Sequence, residues 1–339
     1  MRVSVVTTTF NALAYIVETT RSVLQSPYVD LEYMIIDAGS SDGTLEYLRS
    51  IQDSRVRVEV LKGSRPYEAV DWGFKHTTGD ILAWLNGDDL YYPGTISCVA
   101  QLFTEFPDVD WITGLPSFVN AEGQCTVVGL LSSYPKRYIQ NGWFSEFALG
   151  NMVQESMFWR RSLYEKAGGL NLDYDQAADF ELWTRFARNA PLVSVSTLLA
   201  AWRKHGNNRS LTGTSVYLSD VARATADMPR MNWFKRWLCK RTATKHALRL
   251  LEWHRTPWIY FSMTASKWMC GTAFRPISRY GFQSLWMEFR AARRTKSSGE
   301  SRRSDLLSLS QNAERASNGS AVSSSEMDGP HAPSQVSAQ

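Results

Sequence analysis

The chain has 339 residues, 44% of them hydrophobic, which is enough for a sizeable core in one or two domains. Its formal charge of +4 hides an asymmetry: residues 1–229 hold 19 basic and 26 acidic side chains, residues 230–296 hold 15 and 2, and residues 297–339 hold 3 and 5. An acidic body joined to a basic, aromatic segment suggests an anionic surface as partner, while the lack of any recognisable nucleic-acid module argues against DNA or RNA. Cys98, Cys125, Cys239 and Cys270 are too widely spaced to form a metal or disulfide pattern.

Taken in order, Arg2 to Thr9 reads as a β-branched strand ending at Phe10-Asn11. Asn11 is the expected N-cap of a helix whose apolar positions Leu13, Ile16, Val17, Val23 and Leu24 recur at helical spacing. A second strand, Tyr33 to Ile36, runs into the short polar loop Asp37 to Thr44, where the next helix opens. A third strand, Val56 to Leu61, and a helix from about Tyr67 to Thr78 follow. Ile81 to Leu85 is a run of five apolar residues, as in a strand buried on both faces. It stops at Asn86-Gly87, two carboxylates follow at Asp88-Asp89, and Pro93 is placed to begin a helix that runs to Phe106.

Strands alternating with helices predict a mostly parallel α/β sheet with helices on both sides. In such a sheet Thr7–Phe10, Asp37–Asp42 and Asn86–Asp89 share one edge, the carboxyl edge where open α/β sheets bind ligands. Adjacent carboxylates repel unless a positive group neutralises them. A hard divalent cation, with phosphate oxygens filling its other positions, is the usual one. A carboxylate ending the second strand can bond a base or ribose, and loop amides can face phosphates. The first loop has no Gly-x-Gly-x-x-Gly and no strand is followed by Gly-Lys-Ser/Thr, so dinucleotide and P-loop readings are weak.

Further on, Val109 to Thr113 reads as a strand, and a hairpin turns at Ala121-Glu122-Gly123. Residues 132–150 are aromatic without clear period and are expected to form a mobile acceptor-side loop. Gln154 to Trp159 reads as a strand, Ser162 to Ala167 as a helix closed by Gly168-Gly169, Ala178 to Arg188 as a helix and Val193 to Trp202 as the last strand. From 230 to 296 many Trp, Phe and Tyr interleave with Lys and Arg, and residues 233–254 suit an amphipathic helix lying in an anionic headgroup layer. The alternative is a helical subdomain packing its aromatics on the core. Residues 297–339 are Ser-rich and read as a disordered tail. The expected division is therefore 1–215 catalytic, 216–296 helical and membrane-associating, and 297–339 tail. No charged-then-apolar leader precedes Val3, and no apolar run approaches the ~18 to 20 residues of a spanning helix. The expected location is cytoplasmic, peripherally attached to the inner face of the plasma membrane.

The segments Val5 to Asn11, Ile35 to Thr44, Trp84 to Asp89, Gln154 to Leu170 and Ala178 to Trp183 resemble, in order and spacing, the family 2 glycosyltransferases. The resemblance covers about residues 1–212 and implies a GT-A (Rossmann-like) fold, a nucleotide-sugar donor, a divalent cation (Mn2+ or Mg2+) and inversion at the anomeric carbon. It implies Asp179 as general base, Asp89 and His205 as metal ligands, and Thr8, Phe10, Asp37 and Asp88 around the donor nucleotide, with Asp88 meeting ribose or metal. Gln154, Glu155 and Trp183 are implied on the acceptor side. A UDP-sugar donor and a lipid-linked or oligosaccharide acceptor in surface or exopolysaccharide assembly follow from the same resemblance. Ala38 and Trp72 depart from the family pattern, leaving a non-catalytic membrane-associated scaffold open beside the enzyme. A nucleotidyltransferase lacks support, because Val5 to Asn11 carries neither a Gly-rich signature nor a basic residue.

Overall fold

The computed structural model describes residues 1–28, 30–129, 131–145, 149–206, 208–209, 213–231 and 256–272. The first half is the expected alternation: β1 (Val3–Thr9), α1 (Leu13–Leu24), β2 (Leu31–Asp37), α2 (Thr44–Arg49), β3 (Val56–Val60), α3 (Pro66–Lys75) and β4 (Ile81–Asn86). A two-residue strand, β5 (Leu90–Tyr91), then precedes α4 (Thr95–Glu105). This helix starts two residues beyond Pro93, on Gly94 at φ 80°. The second half contains β6 (Trp111–Thr113), β7 (Ser117–Val119), β8 (Cys125–Val128), α5 (Lys136–Gln140), a 3-10 turn (Gln154–Ser156), β9 (Met157–Arg160), α6 (Arg161–Ala167) and α7 (Ala178–Asn189). It continues with β10 (Val193–Val195), β11 (Ala200–Arg203), α8 (Thr214–Ala224), β12 (Pro257–Ser262) and β13 (Lys267–Thr272).

The main sheet has the order β13-β12-β10-β6-β9-β4-β1-β2-β3, and a smaller sheet has the order β5-β11-β7-β8. β1 pairs in parallel with both β2 and β4, β2 with β3, and β10 with β6 and β12, while β9 runs antiparallel between β4 and β6. The apolar runs of β1, β2 and β4 divide by parity, as strand geometry requires. Val6, Met34, Ile36, Leu82 and Trp84 enter one core with α3, α6 and α7; Val5, Ile35, Ile81, Ala83 and Leu85 enter the other with α1 and α4. Both faces are covered, so these strands show no polar alternation.

Four expectations change here. Residues 132–145 and 149–150 are packed rather than loose: Tyr134, Tyr138, Ile139, Phe144 and Leu149 are buried in the α3/α7 core. Their spacing follows no regular period because only one five-residue helix lies among them, so burial left no pattern to read. Val193 to Trp202 is two strands in two sheets, broken between Ser196 and Leu199. Gln154 to Ser156 forms a 3-10 turn ahead of β9 instead of being part of it.

The fourth change concerns the basic, aromatic segment, which is not wholly helical. Residues 257–272 form an antiparallel hairpin that joins the main sheet through β10. The period-two pattern around Trp258, Ile259, Tyr260 and Phe261 puts Ile259 fully in the core and stacks Trp258 on Tyr260. The amphipathic helix expected over 233–254 and the tail at 297–339 lie outside the described residues.

Candidate active site

The pairing registers Thr9↔Asp37 and Thr8↔Asn86 put all three motif-bearing strand ends at one edge of the sheet. There the ends of β1 and β4 border a cleft of about 820 Å3. Its near wall is built from the β1–α1 loop. Asn11 adopts φ 47° and is not the N-cap, which is Ala12. Instead its Oδ1 accepts from Ser41 N–H at 2.9 Å, and its own N–H donates to Ser40 Oγ at 2.8 Å. Thr44 Oγ1 and Asp42 Oδ2 accept from Ala12 and Leu13 N–H. The two loops are thus bolted together, with Phe10 60% exposed at the cleft lip.

Asp37 works inside this bolt rather than on the ligand side. It is fully buried and does not line the cleft; Gly39 N–H, Ser40 N–H and Ser40 Oγ all donate to its carboxylate at 2.6 to 2.8 Å. The structure therefore assigns Asp37 to loop geometry, and Thr8 and Phe10 to the cleft surface. Thr9, which the sequence reading passed over, also lines the cleft, and its buried Oγ1 has no hydrogen-bond partner among the described residues. Leaving such a hydroxyl unpaired is costly unless a ligand meets it. Gly87 is required opposite: a Cβ there would lie 2.9 Å from Thr9 Oγ1 and 3.1 Å from the Thr8 carbonyl.

The adjacent carboxylates have opposite fates. Asp89 is 1% exposed, accepting Arg203 N–H at 2.8 Å and Asn86 Nδ2–H at 2.9 Å; burial, with Glu155 and Asp88 nearby, pushes its pKa well up. Asp88 is 28% exposed on the cleft, with Oδ2 2.9 Å from His205 Nε2 and 3.5 Å from Asn208 Nδ2. Of the two carboxylates, it is Asp88 and not the expected Asp89 that stands beside His205 on the cleft. Local geometry is the cause: in the turn between β4 and β5 the first carboxylate, Asp88, faces the cleft and the next, Asp89, faces the core.

Arg203, which the sequence did not single out, holds this corner together. Fully buried at the end of β11, it donates to the carbonyls of Asp88 (2.7 Å) and Ala121 (2.8 Å) and to Glu18 Oε2 (2.6 Å), and packs over the Tyr15 ring. Tyr15 in turn stacks on His205, with centroids 4.4 Å apart. One carboxylate oxygen and one imidazole nitrogen side by side form a donor set that a hard cation accepts. No group of three or more His, Cys, Asp or Glu suited to a metal exists among the described residues.

The far wall carries the second centre. Asp179 sits in the first turn of α7, in the cleft, where the backbone N–H groups of Phe180 and of Asp179 itself favour its ionised form. Burial raises its pKa, and Tyr67 Oη–H donates to its Oδ1 at 3.1 Å. Between the two centres lies Glu155, 6% exposed, whose Oε1 is 3.5 Å from Asn86 Nδ2. Burial pushes its pKa up to about 7. Gln154 donates to the Trp84 carbonyl at 2.6 Å, which fixes the turn. Trp183 reaches the cleft but is mostly core, against Trp111, Trp159 and Phe186. Arg209, from the loop after His205, also lines the cleft, over the Tyr67 ring and bonded to the Asp175 carbonyl.

Residues 4–167 match the family described as Glycosyl transferase family 2. Those residues carry a family 2 glycosyltransferase domain. The chain is 26% identical over 248 residues to an uncharacterized glycosyltransferase of Haemophilus influenzae, an overlap covering 68% of this chain and 72% of that one. Among solved structures it resembles S. aureus TarS 1-349 in complex with UDP-GlcNAc, with TM-score 0.54, 15% identity and 69% of each chain covered. It also resembles the mannosyltransferase PcManGT from Pyrobaculum calidifontis in complex with GDP-Man and Mn2+, with TM-score 0.51, 18% identity and coverage of 74% and 69%. These likenesses establish the GT-A fold of this glycosyltransferase.

Proposed function

We propose that this glycosyltransferase inverts the anomeric centre and depends on a divalent cation. In this reading it moves a sugar from a nucleoside-diphosphate donor, a UDP-sugar, to a lipid-linked saccharide in surface or exopolysaccharide assembly. It would work peripherally on the cytoplasmic membrane face. The observation carrying the reading is the opposition, across one cleft, of the Asp88–His205 pair and a half-buried carboxylate, Asp179. The neighbouring folds that hold UDP-GlcNAc, and GDP-Man with Mn2+, support a nucleotide-sugar donor.

Asp88 and His205 would hold the cation, Mn2+ or Mg2+, with phosphate oxygens filling its other positions. When bound, the cation supplies neutralisation of the charge that develops on the leaving diphosphate. The end of β1 and the loop after it, with Thr8, Thr9 and Phe10, seat the nucleotide. Asp179 takes the proton of the acceptor hydroxyl as that oxygen attacks the anomeric carbon, and the bond to the diphosphate oxygen breaks on the opposite face. One base is enough because the leaving diphosphate needs no proton. Burial makes Asp179 a stronger base than a solvated aspartate.

Thermal unfolding with UDP, GDP, dTDP and CMP, each with and without Mn2+, tests the donor half. A ligand at about 100 times its dissociation constant adds ~2.7 kcal/mol of stability. Asp179→Asn should keep that metal-dependent shift while losing transfer by a factor of at least ~100. Full turnover by the variant would remove Asp179 as base.

A further inference from the structure

Tyr67 is the second residue of α3, behind Pro66 and a capping box in which Glu68 reaches back to the Arg65 N–H at 2.9 Å. The helix start is therefore fixed, and so is the direction in which Tyr67 leaves it. Its ring is buried and stands edge-on to Trp84, with centroids 5.4 Å apart at 86°. Trp84 is itself tethered by its Nε1–H to Asn86 Oδ1 at 2.9 Å. The phenol cannot swing away without opening a cavity, and it points at Asp179 Oδ1, 112 residues further along the chain.

Resting on the reading of Asp179 as base, we propose that Tyr67 is the positioning residue of that base: its hydroxyl holds Oδ1 and leaves Oδ2 as the oxygen for the acceptor proton. Burial and the adjacent carboxylate keep the phenol protonated far above neutral pH, so Tyr67 donates and Asp179 accepts. A bond of this polarity favours the ionised carboxylate and offsets part of the burial that raises its pKa. Among the described residues, three charged or titratable groups face Asp179: Tyr67 from α3, Arg209 from the segment after β11, and Glu155 from the 3-10 turn. Arg209 works in the same direction as Tyr67, and Glu155 against it.

The plainer alternative is a tyrosine–carboxylate bond that only stabilises the fold. The molecule supplies its own comparison: Tyr164 Oη–H donates to the buried Asp71 at the same 3.1 Å, between α6 and α3, and neither residue lines the cleft. The test is carboxyl-carbon NMR titration of full-length protein labelled at Asp, with no substrate present. Asp179 is identified by the signal that Asp179→Asn removes. In Tyr67→Phe the Asp179 titration should move to higher pH, and transfer should fall about tenfold at unchanged donor KM. In Tyr164→Phe the melting temperature should fall and the Asp179 titration should stay where it is. An unmoved titration in Tyr67→Phe, or an equal shift in Tyr164→Phe, overturns the proposal. Transfer retained by Asp179→Asn would instead overturn the base assignment beneath it, so the two failures are distinct.

Discussion

At the scale of single residues, the cleft is defined by which carboxylates are shielded and which are not. Asp37, Asp89 and Glu155 are nearly inaccessible, while Asp88 opens onto the cleft with His205 beside it. Shielding has a cost that depends on pH. Glu155 is raised to about 7 in the folded state against 4.5 for the free side chain. The folded protein therefore binds more protons than the unfolded chain across that window, and stability falls as pH rises from about 4.5 through about 7. For Glu155 alone the loss approaches about 3 kcal/mol. Glu155→Gln should remove most of it, so that in EDTA the variant matches the parent near pH 5 and exceeds it near pH 8. Chemical unfolding at the two pH values reads this directly. Parallel pH dependences would show that Glu155 is solvated or charge-compensated in the free protein.

At the scale of elements, the sequence made the first half of the fold legible and left the second half partly hidden, for a physical reason. β1, β2 and β4 are continuous apolar runs ending in breakers, and they came out within two residues of expectation. The site followed where it lies on those ends: Thr8, Phe10 and Asp88 line the cleft, as do His205 and Asp179 further along. What was not legible depends on contacts distant in sequence. Arg203 reads as one more surface cation until Glu18 and Ala121 are seen around it, and Tyr67 as a helix-start aromatic until Asp179 is seen opposite. Likewise, nothing local separates Asp89 from Asp88.

The β12–β13 hairpin is the sharpest case, because aromatic residues among cations suit an interfacial helix as well as a strand. Its role in the sheet makes a prediction. Ile259 is fully buried, Ser196 N–H donates to its carbonyl at 2.8 Å, and Ser133 Oγ–H donates to Thr256 Oγ1 at 2.7 Å. Ending the chain at residue 255 should cost at least about 3 kcal/mol, from one core side chain and the lost sheet bonds. Ending it at residue 274 should leave the melting temperature within a few degrees of the full chain. If the shorter chain melts like the longer one, the hairpin is an ornament on the sheet edge.

At the scale of the whole molecule, charge is distributed as a dipole along the sequence: residues 1–229 sum to −7 and residues 230–296 to +13. No helix among the described residues is long and apolar enough to cross a membrane. On the proposed reading of a lipid-linked acceptor, the basic segment is suited to holding the enzyme on an anionic surface. Each Lys or Arg at an anionic surface contributes about 1 kcal/mol, and the attraction fades beyond a Debye length of about 10 Å at 0.1 M salt. The acidic body is repelled by the same surface. Full-length protein should co-sediment with vesicles rich in phosphatidylserine at about 0.05 M salt and be released near 0.5 M, where screening is nearly complete. Replacing six of the Lys and Arg between 230 and 255 by Gln should release it at lower salt, with folding checked by the melting temperature. Equal binding to uncharged phosphatidylcholine vesicles, or binding indifferent to salt, would remove the basic segment as the anchor and shift attention to exposed apolar side chains such as Met263 at the hairpin turn.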